Sequence, residues 1–411
     1  MFDINSFCRY GKDILQYMKE THDFLVPNYF PAFSCKMGKC RAACCQGWPI
    51  SITMRNYFSL LSINCRKALR ERLDCALHLV DHPTEDEYAR FSPRYDGDCP
   101  MRMADGRCSL HAELGEDVLP DICRLYPRGI RSESGYECSC AGSCEAVLEL
   151  LIHQKEPISF HTERLTFKMP HTPKRMAYFE TMGREREIRL FFIRTVQNRA
   201  FSLPRRLMNL GEVLIRMDDA LNKKDGEAVE KLLTAQENNT AETENRLDKT
   251  HLQDGLAVAE KMLALLDERS ESIRQCGEEA LRYFCPNGET GPNDAFTRYE
   301  AAKRHFETLF PDWEIFFEHM LVNHMFFSQF PFQDRPESLN NEFIALCAVY
   351  ALLRFLAVGW MADKTAESDF IDAAAAVFRL IDHTEFDRYA SRLLRMLGCA
   401  EKSALFSLIS L

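Results

Sequence analysis

The sequence predicts a mainly α protein: a Cys-rich, irregular N-terminal module with little strand, fused to an all-helical body. Three observations carry this. Thirteen of the seventeen cysteines in the 411-residue chain fall in residues 1–150. The same stretch is broken by Gly and Pro, whereas from about residue 145 apolar residues recur at helical spacing. No alternating β-branched run follows that point. With 46% hydrophobic and 27% charged residues the chain can bury a sizeable core. Its length allows two or three domains. We divide it into a Cys-rich metal- or iron–sulfur-binding module over 1–150, a helical segment over 151–240 and a C-terminal helical domain over 250–411.

In the first part, Trp48-Pro49-Ile50-Ser51-Ile52-Thr53 alternates weakly and predicts one short strand. Arg184–Ala200 places Ile188, Phe191, Phe192 and Val196 on one helix face, and Leu207, Leu210, Val213, Leu214, Met217 and Leu221 do the same for the next helix. Residues 222–253 are polar and charged, and predict a short helix followed by a linker or exposed loop near 236–250. Further helices are expected over Gly255–Arg269, Tyr299–Phe310, Trp313–Phe330, Asn341–Met361, Asp369–Ile381 and Glu385–Leu397. The last opens on Thr384-Glu-Phe-Asp387, a capping-box pattern. Phe343–Ala362 has the length of a membrane span. A charge at its centre, Arg354, is costly in lipid, and a buried core helix with no membrane contact is the better reading.

The net charge of −10 disfavours a nucleic-acid partner, because binding a polyanion needs clustered Lys and Arg. It permits action on a basic group. The opening MFDINSFCRYGKDILQYM carries charges where a secretory apolar stretch would stand. The expected location is therefore cytoplasmic, where dense cysteines point to metal rather than disulfides.

The ligand candidates form three clumps: Cys35, Cys40, Cys44 and Cys45; then Cys99, Cys108 and Cys123; then Cys138, Cys140 and Cys144. No C-x-x-C occurs, which argues against zinc ribbons and thioredoxin-like chemistry. Thiolates drawn from distant clumps suit an iron–sulfur cluster, whose inorganic core sets the geometry. Cys8, Cys65 and Cys75 lie outside the clumps, and Cys276, Cys285, Cys347 and Cys399 are scattered over helices. All seven read as small buried hydrophobes. No G-x-G, P-loop or C-x3-C-x2-C motif is present, so a Rossmann fingerprint and the usual radical S-adenosylmethionine motif are absent. Asn323-His324 matches the Asn-His of SET-domain methyltransferases in two residues only. Inside an apolar helical run it reads as a core histidine.

Phe24-Leu-Val-Pro-Asn-Tyr-Phe-Pro-Ala-Phe-Ser-Cys35, continuing through Cys40-Arg-Ala-Ala-Cys44-Cys45-Gln-Gly-Trp48, resembles the opening of the flagellin lysine-N-methylase family. Cys99-Pro-Met, Gly106-Arg-Cys108-Ser-Leu, Leu114-Gly115-Glu116 and Cys123-Arg-Leu-Tyr126-Pro127-Arg128 fit the same pattern. So does Ser143-Cys144-Glu145-Ala146, although the family's Pro after Cys144 is missing and Cys138 and Cys140 look like extras. Leu321-Val-Asn-His-Met-Phe-Phe, Phe330-Pro-Phe332 and Leu352-Leu-Arg-Phe-Leu-Ala-Val-Gly359 resemble its C-terminal helical signatures. The N-terminal part is also similar to small zinc- or iron-chelating Cys-rich domains.

The resemblance implies methyl transfer from S-adenosylmethionine to lysine side chains of flagellin, in a protein carrying a [4Fe–4S] cluster. Cys35, Cys40, Cys44, Cys45, Cys99, Cys108, Cys123 and Cys144 are then the candidate metal ligands, with no assignment of which four hold one cluster. Catalytic and S-adenosylmethionine-binding residues are not readable. Tyr126, Asp121 and Glu145 are eligible proton acceptors, with a solvated or structural role the simpler reading for each. The rival is a non-catalytic zinc- or iron–sulfur scaffold whose helical body binds a partner.

Overall fold

In the computed structural model, residues 19–41, 43–47, 50–132, 135–170, 178–235, 249–266, 271–286, 292–333 and 337–411 are described. They contain sixteen α-helices and seven strands. The mainly α class holds; among the described residues every strand lies before residue 168, and the strand at Phe160–Phe167 falls within the 151–240 stretch expected to be helical. The chain forms two compact units. One is built from the N-terminal part through Cys140 together with Phe160–Arg175, and the other from Ala141–Ser159 and Met176–Leu411.

The first unit contains two small sheets. In one, β1 (Glu20–Pro27) pairs antiparallel with β7 (Phe160–Phe167), from Glu20 opposite Phe167 to Pro27 opposite Phe160. On its other edge β1 runs parallel to β6 (Glu137–Cys140), which in turn pairs with β5 (Arg128–Arg131). Phe24 and Val26 are fully buried on one face of β1, as a two-residue period requires. The second sheet joins β2 (Ile50–Ile52), β4 (Ala89–Phe91) and β3 (Leu77–Leu79) in that order. The strand expected near Ile50 is β2; Trp48 and Pro49 lie outside the described residues.

Beside this second sheet sit α1 (Met54–Ser62), capped by the Thr53 hydroxyl accepting from Asn56 N, and α2 (Lys67–Ala76). Ile50, Ile52, Leu60, Leu69, Leu73, Phe91, Met101 and Leu110 form a small core, with Cys45, Cys65, Cys108 and Cys123 packed against it. Cys65 therefore has the packing role its position suggested. Cys75 does not: it is exposed on α2.

Among the described residues the second unit contains helices and no strand. It holds α5 (Glu145–His153), α6 (Glu185–Val196), α7 (Leu203–Asn222), α8 (Gly226–Thr234), α9 (Lys249–Leu263), α10 (Glu271–Phe284), α11 (Pro292–Leu309), α12 (Trp313–Phe327), α13 (Leu339–Trp360), α14 (Glu367–Ile381), α15 (Phe386–Met396) and α16 (Lys402–Ile409). (The short α3, Ser109–Leu114, and α4, Asp121–Leu125, belong to the first unit.) The linker expected near 236–250 falls largely on residues 236–248, outside the described residues; α9 begins at Lys249. The Thr384 hydroxyl accepts from Phe386 N rather than Asp387 N, so the expected capping box is replaced by a tighter turn into α15.

Helix α13 is the centre of this unit, packed by α7, α10, α11, α14, α15 and α16. Among the described residues it is the one helix long and apolar enough to cross a bilayer, and 94% of that window is buried inside the protein. Its apolarity is thus met by protein, and each fully buried Leu or Val contributes about 1.5–3 kcal/mol. The central Arg354 is neutralised locally. Its Nη2 donates to Glu307 at 2.7 Å, its Nε donates to the Leu411 carbonyl at 3.0 Å, and its guanidinium lies 3.9 Å from the Trp313 ring centroid.

Candidate functional site

In the first unit, main-chain hydrogen bonds tie the first two cysteine clumps together. Cys99 N donates to the Cys45 carbonyl at 2.8 Å and Gly47 N to the Gly97 carbonyl at 2.8 Å. Ser109 N donates to the Met101 carbonyl at 2.8 Å, fixing Cys108 at the start of α3. A second tie is steric. Gly38 and Gly106, with φ of +89° and +83°, approach so closely that neither has room for a Cβ. The loop after Cys35 is thereby seated on the loop before Cys108.

The thiols influence one another accordingly. Cys44 donates a hydrogen bond to Cys45, which holds the Cys44 thiol far above its ordinary range and lowers Cys45 to about 7. Burial pushes Cys99 up to about 12, with the Cys45 and Cys108 thiols adding to the effect. Burial raises Cys108 and, further, Cys123, which feels Cys99, Cys108 and Cys45. Cys123 and Cys35 act on Cys44. Electrostatic influence thus links Cys35, Cys44, Cys45, Cys99, Cys108 and Cys123 pair by pair across the first two clumps.

No disulfide joins cysteines among the described residues. Nor do any three Cys, His, Asp or Glu side chains there already close on one point as a metal-ion site would. The sulfurs converge without forming a coordination sphere. As a donor set they suit a soft, thiophilic group rather than a hard cation.

The remaining candidates sit as follows. Cys40 is half-buried in the Gly38 loop. Cys144 belongs to the second unit, at the N-cap of α5. Cys138 and Cys140 are buried in β6, with Cys138 raised to about 12 by burial. Asp121 is engaged structurally. It accepts from Asn56 Nδ2 at 2.9 Å and from Arg124, while its own N–H donates to Asn56 Oδ1. Glu145 is buried in the first turn of α5.

The second unit contains polar groups that the sequence reading did not single out as functional. Helix α12 reads WEIFFEHMLVNHMFF, and its Glu318, His319, Asn323 and His324 are all buried. Glu318 receives two hydrogen bonds from Arg199, both at 2.9 Å, and one from Arg206 at 2.6 Å. His319 Nδ1 donates to the Leu151 carbonyl at 2.9 Å, while Nε2 faces Arg199 Nη2 at 3.1 Å. An Arg only donates, so Nε2 accepts and the ring is neutral. Burial lowers its pKa in agreement with that.

His324 is the core histidine its position suggested, and it has a partner as well. Its Nδ1 lies 3.1 Å from Asp382 Oδ1, at the C-terminus of α14. The Asp382 side chain is 1% exposed, and its Oδ2 is buried without a hydrogen-bond partner among the described residues. The neighbouring His383 Nε2 is 3.0 Å from Ser143 Oγ. Gly142 packs flat on Phe378, where a Cβ would come within 2.7 Å of the ring, and Phe378 lies 6.0 Å from the His324 ring. The Gly142–Glu145 segment, His324 and Asp382 therefore share one neighbourhood. The available signal was the repeated polar pair in α12, Glu-His then Asn-His, inside an otherwise apolar run.

The profile of the FliB lysine N-methylase C-terminal domain matches residues 189–408, more than half of the chain and most of the helical unit. The chain belongs to this family. It is 27% identical over 105 residues to a lysine-N-methylase of Salmonella typhimurium strain LT2, and 27% identical over 105 residues to one of Salmonella choleraesuis. In both cases the alignment spans 25% of each protein. It is 26% identical over 105 residues to the flagellar biosynthetic protein FliU of Salmonella muenchen, spanning 60% of that relative. The aligned stretch thus spans about a quarter of the length of these two lysine-N-methylases. No solved structure matches.

Proposed function

We propose that this protein is a cytoplasmic lysine N-methyltransferase that transfers methyl groups from S-adenosylmethionine to lysine side chains of flagellin. The family match over 189–408 carries this reading, together with relatives named lysine-N-methylase and FliU. The chemistry sets three requirements. A lysine ammonium has no lone pair, and its ordinary pKa of about 10.4 keeps it charged at neutral pH. A proton must therefore leave to an acceptor at the site. The amine must then lie in line with the sulfonium methyl group, which is a matter of positioning.

We further propose that the converging thiols hold an iron–sulfur cluster of the [4Fe–4S] type. The ligands we favour are Cys35, Cys44, Cys45, Cys99, Cys108 and Cys123, supported by their pairwise electrostatic influence, with Cys40 between Cys35 and Cys44 in sequence. Such a cluster, when bound, supplies a rigid cross-link for the loops and a soft Lewis-acidic iron. The residues themselves act more simply: the Gly38–Gly106 contact and the Cys45–Cys99 hydrogen bond hold the loops in register.

The deciding experiment incubates anaerobically purified protein, S-adenosylmethionine and flagellin, then records the intact mass of flagellin. Increments of one methyl group each are expected. Unchanged flagellin in the presence of cluster-replete protein would overturn the enzyme reading and favour a scaffold. Brown colour with broad absorption near ~400 nm is expected for the protein itself, since thiolate-ligated iron–sulfur clusters absorb there and zinc thiolates do not.

A further inference from the structure

We propose that the His324–Asp382 pair receives the ε-ammonium of the substrate lysine and removes its proton. This rests on the methyl-transfer reading above and assigns the acceptor that reading requires. The buried Glu318–His319 pair on α12 and the pair that His324 makes with Asp382 differ in one respect. Glu318 and His319 have every polar atom engaged by Arg199, Arg206 or the Leu151 carbonyl. Asp382 does not: Oδ1 meets His324 Nδ1 at 3.1 Å, while Oδ2 is buried with no donor among the described residues. A buried carboxylate oxygen without a donor is costly, and native proteins supply one.

The chemistry of the place selects a cationic donor. The pair is an aspartate beside an imidazole, net negative if the ring is neutral, and an ammonium offers N–H groups together with a positive charge. His383 also borders this corner, its pKa lowered first by burial, with Asp382 opposing that shift and Arg379 adding to it.

The roles divide by atom. Asp382 Oδ1 accepts from Nδ1–H of His324, which fixes the tautomer and leaves Nε2 bare as a base. Oδ2 accepts an N–H from the incoming ammonium. One ammonium proton moves to His324 Nε2, giving a neutral amine and an imidazolium paired with Asp382. The amine lone pair forms the N–C bond to the sulfonium methyl as the C–S bond breaks, its electrons remaining on sulfur. The products are a methylated ammonium and the neutral thioether S-adenosylhomocysteine, and the imidazolium proton passes to water. His324 is thus the catalytic base, and Asp382 both anchors the amine and orients the base.

The test has two arms. In the first, full-length wild type, His324→Ala, His324→Asn and Asp382→Asn are compared for methylation of flagellin, with thermal unfolding and S-adenosylmethionine binding measured alongside. His324→Asn keeps an N–H donor toward Asp382 and so guards against misfolding of the alanine variant. We expect both His324 variants to lose rate by roughly 10²–10⁴-fold while still binding S-adenosylmethionine, with added imidazole restoring part of the rate to His324→Ala. A control, His153→Gln on the exposed end of α5, should keep the wild-type rate. Folded His324→Asn that methylates within threefold of wild type, or folded His324→Ala without imidazole rescue, overturns the assignment while leaving the methyltransferase reading intact.

The second arm titrates n-butylammonium into wild type and Asp382→Asn with S-adenosylhomocysteine present, and needs no turnover. Binding that weakens at least tenfold in Asp382→Asn supports the site. Equal binding by the two proteins, or none by wild type, overturns it. If wild type leaves flagellin unmodified, the flagellin reading fails by itself and this arm still decides the amine site.

Discussion

A Cβ on Gly38 would lie 2.5 Å from the carbonyl of Gly106, and one on Gly106 would lie 2.3 Å from the carbonyl oxygen of Gly38. The two glycines belong to different cysteine clumps, so a backbone-to-backbone contact decides how those clumps meet. Both also have positive φ, which an L side chain adopts only with strain. Gly38→Ala and Gly106→Ala should each destabilise the first unit by about 2–4 kcal/mol, from strain plus overpacking. Limited proteolysis is the measurement: cleavage should appear within residues 19–132 while the helical unit persists. Unaltered protease resistance in both variants would show that the loops can part at no cost.

The thiol neighbourhood gives a second prediction. Cys44 feels the Cys45, Cys123 and Cys35 thiols, whereas Cys347 is buried in α13 and shifted by burial alone. After anaerobic purification, Cys44→Ala should lose most of its iron and loosen the first unit, because ligand binding and folding are linked in a segment with a small core. Cys347→Ala should keep wild-type iron. Iron per chain separates the outcomes, and loss of iron from a folded Cys347→Ala protein would contradict the division between ligand and packing cysteines.

Much of the helical unit was legible because its signals are local. The continuous apolar run of α13 announced a buried helix, and the faces of Ile188, Phe191, Phe192 and of Leu207, Leu210, Leu214 announced α6 and α7. The first sheet was not legible. β1 pairs with residues more than a hundred positions away, and its Asp-Phe-Leu-Val stretch is too short to show a period. The cysteine clumps could be seen, but not which sulfurs meet, since Gly38 against Gly106 is a contact between loops. His324 and Asp382 stand 58 positions apart, and nothing near either one indicates the other.

Glu318 offers a test of what holds the helical unit together. Its carboxylate is fully buried and bridges Arg199 and Arg206, the latter on α7 and 3% exposed. Glu318→Ala leaves the Arg206 guanidinium with Glu314, at 3.2 Å, as its remaining carboxylate beside the Phe201 and Val196 carbonyls. Removing one partner of a buried ion pair costs about 3–5 kcal/mol. Denaturant unfolding should show that loss in the midpoint, and an unchanged midpoint would mean that the network adds nothing to stability. Arg199→Ala should cost less, because Arg199 is 28% exposed and its charge is partly screened by water.

His319 sets the direction of a pH dependence. Its ring is held neutral: Nδ1–H donates to the Leu151 carbonyl, and Nε2 accepts from Arg199. Protonating Nε2 would replace that acceptor by a second positive donor facing the guanidinium. Burial first, and Arg199 in addition, lower the folded-state pKa below 6.5, while Glu318 and the carbonyl contacts of Leu151 and Glu156 oppose this. Above 6.5 neither folded nor unfolded ring binds a proton, so the stabilising arrangement is fully present. As pH falls below 6.5 the unfolded chain takes up a proton that the folded one resists, and stability declines. The decline should end once pH passes below the folded-state pKa. His319→Gln, which carries a donor and an acceptor but no proton to gain, should show a flatter stability curve between pH 7 and 5 than wild type. Unfolding midpoints measured across that range decide it; parallel curves for the two proteins would mean that His319 does not report the protonation step.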